Sequence, residues 1–127
     1  MEVYKRIALI RNRNDREDVI EEMIDRFGDI PDSVMNLIEI AHLRGILSEM
    51  GVYRVNHMAG TLVMRMAPAA APEPMKLYAA LEQADKRLLL SATKDPSILF
   101  RDPKLSTEKL LSQAVKAMEK VAKELEV

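Results

Sequence analysis

The chain has 127 residues, the length of one ordinary domain, and its 19 basic and 20 acidic side chains leave a net charge of −1, without the basic excess of a dedicated nucleic-acid-binding protein. Hydrophobic residues at 48% and charged residues at 31% exclude a disordered chain. The lack of cysteine excludes a disulfide scaffold, a thiolate zinc site and a cysteine nucleophile, and no apolar run approaches the ~20 residues that span a bilayer.

Three helices are predicted in the first part of the chain. A short amphipathic helix covers residues 3–10, and a second covers residues 15–27, preceded by a capping box that begins at Asn14. Gly28 is suited to end the second helix, and a third helix covers residues 31–50. The apolar stripe of the second helix, which we assign to the core, comprises Val19, Ile20, Met23, Ile24 and Phe27.

The apolar pattern then changes from a helical to a strand period. Residues 52–58 and 61–66 are rich in β-branched and apolar side chains and are separated by Ala59 and Gly60, which predicts a hairpin with a two-residue turn. Residues 67–74 contain three prolines and have no periodicity, so we expect a stiff, extended connector there.

The last part of the chain predicts a helix, a second hairpin and a long helix. The helix covers residues 75–84, and the hairpin joins strands at 87–92 and 97–100 through a turn at 93–96. Ser106 or Thr107 is suited to cap the final helix, which should reach nearly to Val127. Its predicted apolar stripe comprises Leu111, Ala114, Val115, Met118, Val121, Ala122 and Leu125.

These elements predict an α+β fold. It has an N-terminal three-helix segment, two β-hairpins that form a small antiparallel sheet, and a C-terminal amphipathic helix. We expect one domain over residues 1–127, with a helical part at 1–51 and a hairpin–helix–hairpin–helix part at 52–127, although the Pro/Ala connector also allows two lobes.

No catalytic constellation is present in the sequence, so we predict that the chain is not an enzyme. The two histidines, His42 and His57, lack a metal-ligand partner at helical spacing, and neither a nucleophile elbow nor a phosphate-binding glycine loop occurs. The pattern predicts no metal site and no bound cofactor. The charged N-terminal sequence does not resemble a secretory signal, so we expect a cytoplasmic protein that does not contact a membrane.

Acidic side chains are concentrated on the second helix. Residues 15–32 hold eight acidic and two basic side chains, and Asp18, Glu22 and Asp25 recur four and three residues apart on one helix face, which Asp29 extends. One interpretation is a solvated helix face with a favourable acidic bias near the N-terminus. The other is a docking stripe for a basic surface of another protein.

A smaller basic group precedes this stripe. Lys5, Arg6, Arg11 and Arg13 are candidate contacts for phosphate, which gives an alternative function as an accessory nucleic-acid-binding domain. Only Tyr4 is an aromatic neighbour, so stacking of unpaired bases is not indicated. A solvated face, or ion pairing with the acidic helix, is the other interpretation of these residues and of Arg16, which belongs to the same basic group.

Three strings resemble a known family. They are YKRIA at residues 4–8, EMIDRFG at residues 22–28 followed by Pro31, and NLIEIAHLR at residues 36–44. In this order and spacing they resemble the C-terminal domain of the bacterial transcription-repair coupling factors, the Mfd family. The match is dense over residues 4–51, whereas Met23, His42 and the connector at 67–74 depart from the family pattern.

The resemblance implies a regulatory role within a larger motor protein. The C-terminal domain would act as an intramolecular clamp that docks on an N-terminal UvrB-like module, masks the surface that binds UvrA, and restrains the translocase. Engagement of RNA polymerase and double-stranded DNA would release the clamp. ATP and Mg²⁺ would act in the upstream motor and not in this domain.

The resemblance also gives the acidic stripe a partner. By position, Glu22 and Asp25 are the candidates for contacts with arginines of the N-terminal module, together with Asp18, Asp29 and Arg26. A Glu22–Arg26 pair across one helical turn would hold the glutamate in place.

Overall fold

In a computed structural model the protein divides into two compact units, Met1–Ile46 and Leu47–Val127. The structure describes residues 2–91 and 95–125. The division lies close to the predicted change from the helical part to the hairpin part, and not at the Pro/Ala connector. The predicted α+β class is confirmed, because five helices and one four-stranded antiparallel sheet are present in the described chain.

The first unit contains the three predicted helices: α1 at Glu2–Ala8, α2 at Arg13–Phe27, and α3, which begins at Asp32 and ends at Ser48, just beyond the unit. Apolar side chains from all three helices form one core, and apolar contacts of this kind are the main stabilising term in a small helical unit. The buried members of this core are Ile7, Ile10, Val19, Met23, Ile38 and Ala41.

The beginning of α2 differs from the prediction. The N-cap is Asn12 rather than Asn14, because the Asn12 Oδ1 accepts the backbone N–H of Asp15 at 2.9 Å. The Asp15 carboxylate in turn accepts the backbone N–H of Arg11 at 3.1 Å. The first contact satisfies one helix N–H group that would otherwise lack a partner, and the second fixes the residue before the cap, so the helix begins two residues earlier than predicted.

The core face of α2 is narrower than the sequence predicts. Val19 and Met23 are buried, but Ile24 is 52% exposed and Phe27 is 60% exposed, so their assignment to the core is wrong. Ile24 follows Met23 by one residue, which turns its side chain by about 100° around the helix and away from the core. A unit of three short helices has no further layer to cover that side of α2.

The second unit is built on an antiparallel sheet. Its strands are β1 at Val52–Met58, β2 at Thr61–Met66, β3 at Leu88–Ser91 and β4 at Ser97–Arg101, in the order β1-β2-β4-β3. Both predicted hairpins pair as expected, and β2 pairs with β4 to join them into one sheet. Residues 92–94, which are the last residue of the predicted strand and the first two of the predicted turn, lie outside the described residues.

The first hairpin closes through the predicted two-residue turn. Ala59 and Gly60 have φ values of 39° and 78°, the left-handed pair that matches the twist of the flanking strands. A Cβ atom on Gly60 would lie 2.6 Å from the Cα of Pro103. Gly60 is therefore required both by its backbone conformation and by the close approach of a neighbouring loop.

The segment at 67–74 is not the extended connector that its prolines predict. The backbone N–H groups of Ala70 and Ala71 both donate to the carbonyl of Ala67 at 3.0 Å, so the chain makes a helical turn here. Pro68 is compatible with this turn, because proline is tolerated in the first turn of a helix, where its missing N–H has no partner to lose.

Two helices complete the second unit, α4 at Pro74–Ala84 and α5 at Thr107–Glu124. The Oγ of Ser106 caps α5 by accepting the backbone N–H of Lys109, as one of the two predicted alternatives. The buried face of α5 is rotated from the predicted stripe, since Leu110 and Ala117 are buried while Leu111 is only half-buried. α5 ends at Glu124 with Leu125 as its C-cap, close to the predicted end near Val127.

On β2, β4 and β3 one face of the sheet is covered and the other is not, whereas the edge strand β1 is exposed on both faces. Along β2, buried residues alternate with more exposed ones, and Met64 and Met66 lie on the buried side. Phe100 of β4 is fully buried on the same side, and the guanidinium of Arg87 bridges from its ring to Gln113 of α5. α5 therefore packs on the Phe100 side, and the opposite face remains accessible.

Candidate protein-docking site

The acidic stripe, defined as Asp18, Glu22, Asp25 and Asp29, lies at the surface of the first unit. Asp18 and Asp25 are exposed on α2, and Asp29 is exposed in the loop that follows Gly28. Gly28 ends the helix with φ at 81°, and its backbone N–H donates to the carbonyl of Ile24 at 2.9 Å. The stripe is thus held on a rigid helix and its C-terminal turn.

Three of the four carboxylates have no partner within the chain. Among the described residues, no ion pair or hydrogen bond involves the side chains of Asp18, Asp25 or Asp29. Glu22 differs, because it forms an ion pair with Arg6 of α1. Its predicted pairing with Arg26 is therefore replaced by a contact between two helices.

Arg26 is exposed and lies beside an aromatic ring. Its guanidinium carbon is 5.5 Å from the centroid of the Phe27 ring, a distance at which a cation is attracted to the ring face. The contact leaves the guanidinium at the surface, next to the exposed side chain of Phe27. The surface of α2 therefore combines free carboxylates with two large apolar groups and one arginine.

The predicted basic group does not form one continuous patch. Lys5 is exposed and Arg6 is engaged with Glu22, both in the last turn of α1. Arg11 lies in the following loop, and Arg13 is the first residue of α2. These four side chains thus lie on three segments, and one of them, Arg6, forms an ion pair with Glu22 of the acidic stripe.

A buried ion pair fixes α2 against α3. The Nε of Arg16 donates to an Oε of Glu39 at 2.6 Å, and Glu39 is only 8% exposed. Arg16 also contacts the exposed Glu17 at 3.0 Å. Ion pairing with the acidic helix, one of the sequence interpretations, is confirmed for Arg6 through Glu22 and for Arg16 through Glu17.

A second polar cluster, in the other unit, is not predicted by the sequence. The guanidinium of Arg87 binds both oxygens of Asp85, donates to Asp102 at 3.0 Å and to Gln113, and lies 4.8 Å from the centroid of the Phe100 ring. These hydrogen bonds hold the pKa of Asp85 below its ordinary value and raise that of Arg87. The only sequence signal is an aspartate two residues before an arginine at a helix end.

The described residues contain no group of three or more histidine, aspartate or glutamate side chains arranged to hold a metal ion. His42 is buried in α3 and His57 is exposed in β1. Within residues 2–91 and 95–125, no helix has the length and apolar character that a membrane span requires.

Comparison with known proteins agrees with the resemblance in the sequence. A family model described as the TRCF domain matches residues 1–77. The chain is 40% identical over 58 residues to the transcription-repair-coupling factor of Haemophilus influenzae, and 40% identical over 52 residues to that of Escherichia coli. These matches cover 46% and 41% of this chain, but only 5% and 4% of the two relatives.

A solved structure extends the similarity over the second unit. The crystal structure of a C-terminal domain of transcription-repair coupling factor matches with a TM-score of 0.84 at 25% identity. The match covers 98% of this chain and 80% of that one, so both units have the order of elements found in that domain. The chain therefore belongs to the TRCF domain family of transcription-repair coupling factors.

Proposed function

We propose that this chain is a non-catalytic regulatory domain that docks through the acidic stripe on the N-terminal UvrB-like module of a transcription-repair coupling factor. The observation that carries the proposal is the exposed pair Asp18 and Asp25, which have no ion-pair partner among the described residues. Arginines of the module would bind these carboxylates in bidentate geometry, which gives direction as well as charge attraction.

Two exposed apolar side chains on other parts of α2 support docking over a purely solvated face. Ile24 and Phe27 are more than half exposed, although each would be more stable out of water. Protein interfaces typically have an apolar centre with a polar rim, and aromatic residues and arginine are enriched in them. Ile24, Arg26 and Phe27 lie on the same helix as the free carboxylates and have this composition.

The Glu22–Arg6 pair is compatible with the same role. Both side chains remain partly exposed, at 36% and 41%, and an ion pair of this kind contributes only about 0–1 kcal/mol. An arginine of the partner could therefore replace Arg6 at little cost. Exchange of this kind makes a docked state reversible.

A modest interface suffices when both partners belong to one polypeptide. A tethered domain acts at an effective concentration near the millimolar range, so weak contacts keep it closed until a competing interaction opens it. In the proposed cycle the docked domain masks the surface that binds UvrA and restrains the motor. Binding of RNA polymerase and DNA favours the open state. ATP and Mg²⁺ act in the motor and not in this chain.

The test measures binding of the 127-residue chain to the purified N-terminal module by calorimetry. We expect the Asp18→Lys, Asp25→Lys double variant to bind at least about tenfold more weakly, with a smaller salt dependence, because two attractive contacts become repulsive. Ile24→Ser should also weaken binding without lowering stability, since this side chain is exposed.

The matched control is the Glu49→Lys, Glu82→Lys double variant, which makes the same change in net charge at two exposed positions outside the stripe. It should bind like the unmodified chain. Equal affinities for the stripe variant and the control variant would refute the docking assignment. A titration with duplex DNA tests the alternative function of Lys5, Arg6, Arg11 and Arg13, and we expect no binding there that competes with the module.

A further inference from the structure

The uncovered face of the sheet in the second unit carries three arginines and no carboxylate. Arg54, Arg65 and Arg101, on β1, β2 and β4, are exposed, and none of them forms an ion pair with another described residue. No outward position of the four described strands is occupied by aspartate or glutamate. This face therefore has a local charge opposite to that of the acidic stripe.

The strand register arranges these arginines around an apolar row. Val63 pairs with Leu99, and Leu99 pairs with Leu89, so three apolar side chains lie side by side across three strands. Arg65 is two residues beyond Val63 on one side of the row, and Arg101 is two residues beyond Leu99 on the other, each about 7 Å away along its strand. We call this surface the arginine face; it consists of Arg54, Val63, Arg65, Leu89, Leu99 and Arg101.

Two of the arginines are placed at a cost to stability. Arg54 and Arg65 are direct partners in the antiparallel register, next to the irregularity between Val52 and Arg54. Like charges directly opposite each other on one face destabilise a sheet. A bound anion would offset this repulsion, and neither arginine forms an ion pair with a described carboxylate.

We propose that the arginine face binds an acidic segment of a partner protein, with an apolar side chain of the segment on the Val63–Leu99–Leu89 row and carboxylates on both sides of it. Arginine matches carboxylate geometry in a bidentate manner. Leu89 is 54% exposed and supplies the apolar contact. The surface lies in the unit that does not carry the acidic stripe, so this proposal is independent of the clamp.

The composition of the face favours a protein over a nucleic acid. All three cations are arginine and none is lysine, a bias typical of protein interfaces. The apolar row offers nothing to a phosphate backbone, and none of the outward residues paired in the described register is an aromatic on which unpaired bases stack. A duplex would also need a longer track of phosphate contacts than three arginines provide.

The test uses fluorescence anisotropy with the full chain and a labelled peptide in which glutamate and leucine alternate. We expect binding at low salt, and about fivefold weaker binding for Arg65→Gln and for Arg101→Gln, the effect of losing one exposed ion pair. Arg44→Gln is the matched control, because it removes an exposed arginine of α3 and should leave the affinity unchanged.

Two further measurements make the outcome decisive. A peptide with glutamine in place of glutamate should not bind, and Arg65→Thr should raise the thermal unfolding midpoint while it weakens binding, because it removes the like-charge pair. The proposal is overturned if both peptides bind equally or if Arg65→Gln has no effect on binding. It is also overturned if DNA binds more tightly than the acidic peptide and the same substitutions abolish that binding.

Discussion

At the scale of single residues, Arg87 forms hydrogen bonds with three side chains of the second unit. It joins the end of α4, the loop before α5 and α5 itself, through Asp85, Asp102 and Gln113. Charge-assisted hydrogen bonds of this type contribute about 1.5–3 kcal/mol each, more than an ordinary exposed ion pair. The cluster therefore fixes how the helices of this unit attach to the sheet.

The lowered pKa of Asp85 makes stability depend on pH. The hydrogen bond from Arg87 is the main cause of the shift. As the pH falls, the unfolded chain binds a proton at the ordinary aspartate pKa of ~3.9, before the folded chain does. The stabilising contribution of Asp85 is thus complete above that pKa and decreases as the pH falls through the lower folded value. Urea unfolding midpoints measured between about pH 5 and pH 2 should show this decrease.

The Asp85→Asn variant separates this effect from general acid unfolding. It should be about 1–3 kcal/mol less stable near neutral pH, and its stability should fall less steeply in acid. Asp25→Asn is the control, because Asp25 is exposed and has no partner among the described residues; its profile should follow the unmodified chain. If the stability of Asp85→Asn fell with pH in parallel with that of the unmodified chain, Asp85 would not be the source of the pH dependence.

At the scale of elements, α2 shows how one helix serves both packing and surface recognition. Val19 and Met23 attach it to the core, and the buried Arg16–Glu39 pair fixes it to α3. The rest of its circumference is left for the acidic stripe and for Ile24 and Phe27. The cap at Asn12 and Asp15 determines where the helix begins.

The cap predicts a contrast between two asparagines that lie close together in the sequence. Asn12→Ala should destabilise the chain by about 1 kcal/mol, because the Asp15 N–H loses its acceptor. Asn14→Ala should have almost no effect, since Asn14 is exposed and its side chain makes no hydrogen bond in the described structure. Chemical denaturation monitored by circular dichroism measures the stability of both variants. A larger loss for Asn14→Ala than for Asn12→Ala would support Asn14 as the N-cap, as predicted from the sequence.

At the scale of the whole molecule, each of the two units carries one candidate recognition surface. The acidic stripe belongs to Met1–Ile46, and the arginine face belongs to Leu47–Val127. The two sets of charges share no ion pair in the described residues. Substitutions at sites without shared partners usually have additive effects.

We therefore expect the two surfaces to respond independently. The Asp18→Lys, Asp25→Lys variant should keep its affinity for the acidic peptide, and Arg65→Gln should keep its affinity for the N-terminal module, each within about twofold. Titration of each variant with both ligands measures this. A loss of affinity for both ligands in either variant would indicate one composite surface.

Local sequence signals predicted the elements of this fold well. The two-residue turn at Ala59 and Gly60, the cap at Ser106 and the helix end at Gly28 are each set by the conformation of one or two residues, so they can be identified without tertiary context. The family could also be identified, because three contiguous strings carry its pattern. The acidic stripe itself follows from helical spacing alone.

Tertiary structure decided which side chains face a neighbour. Ile24 and Phe27 repeat at helical spacing like core residues, but the small unit has no layer to cover them. Glu22 pairs with Arg6 of another helix rather than with Arg26 of its own, and the arginine face exists only because the register sets Arg54 opposite Arg65. The sequence alone determined the elements and the charges, since both are local properties. Exposure and pairing required the fold, because they depend on residues far apart in the chain.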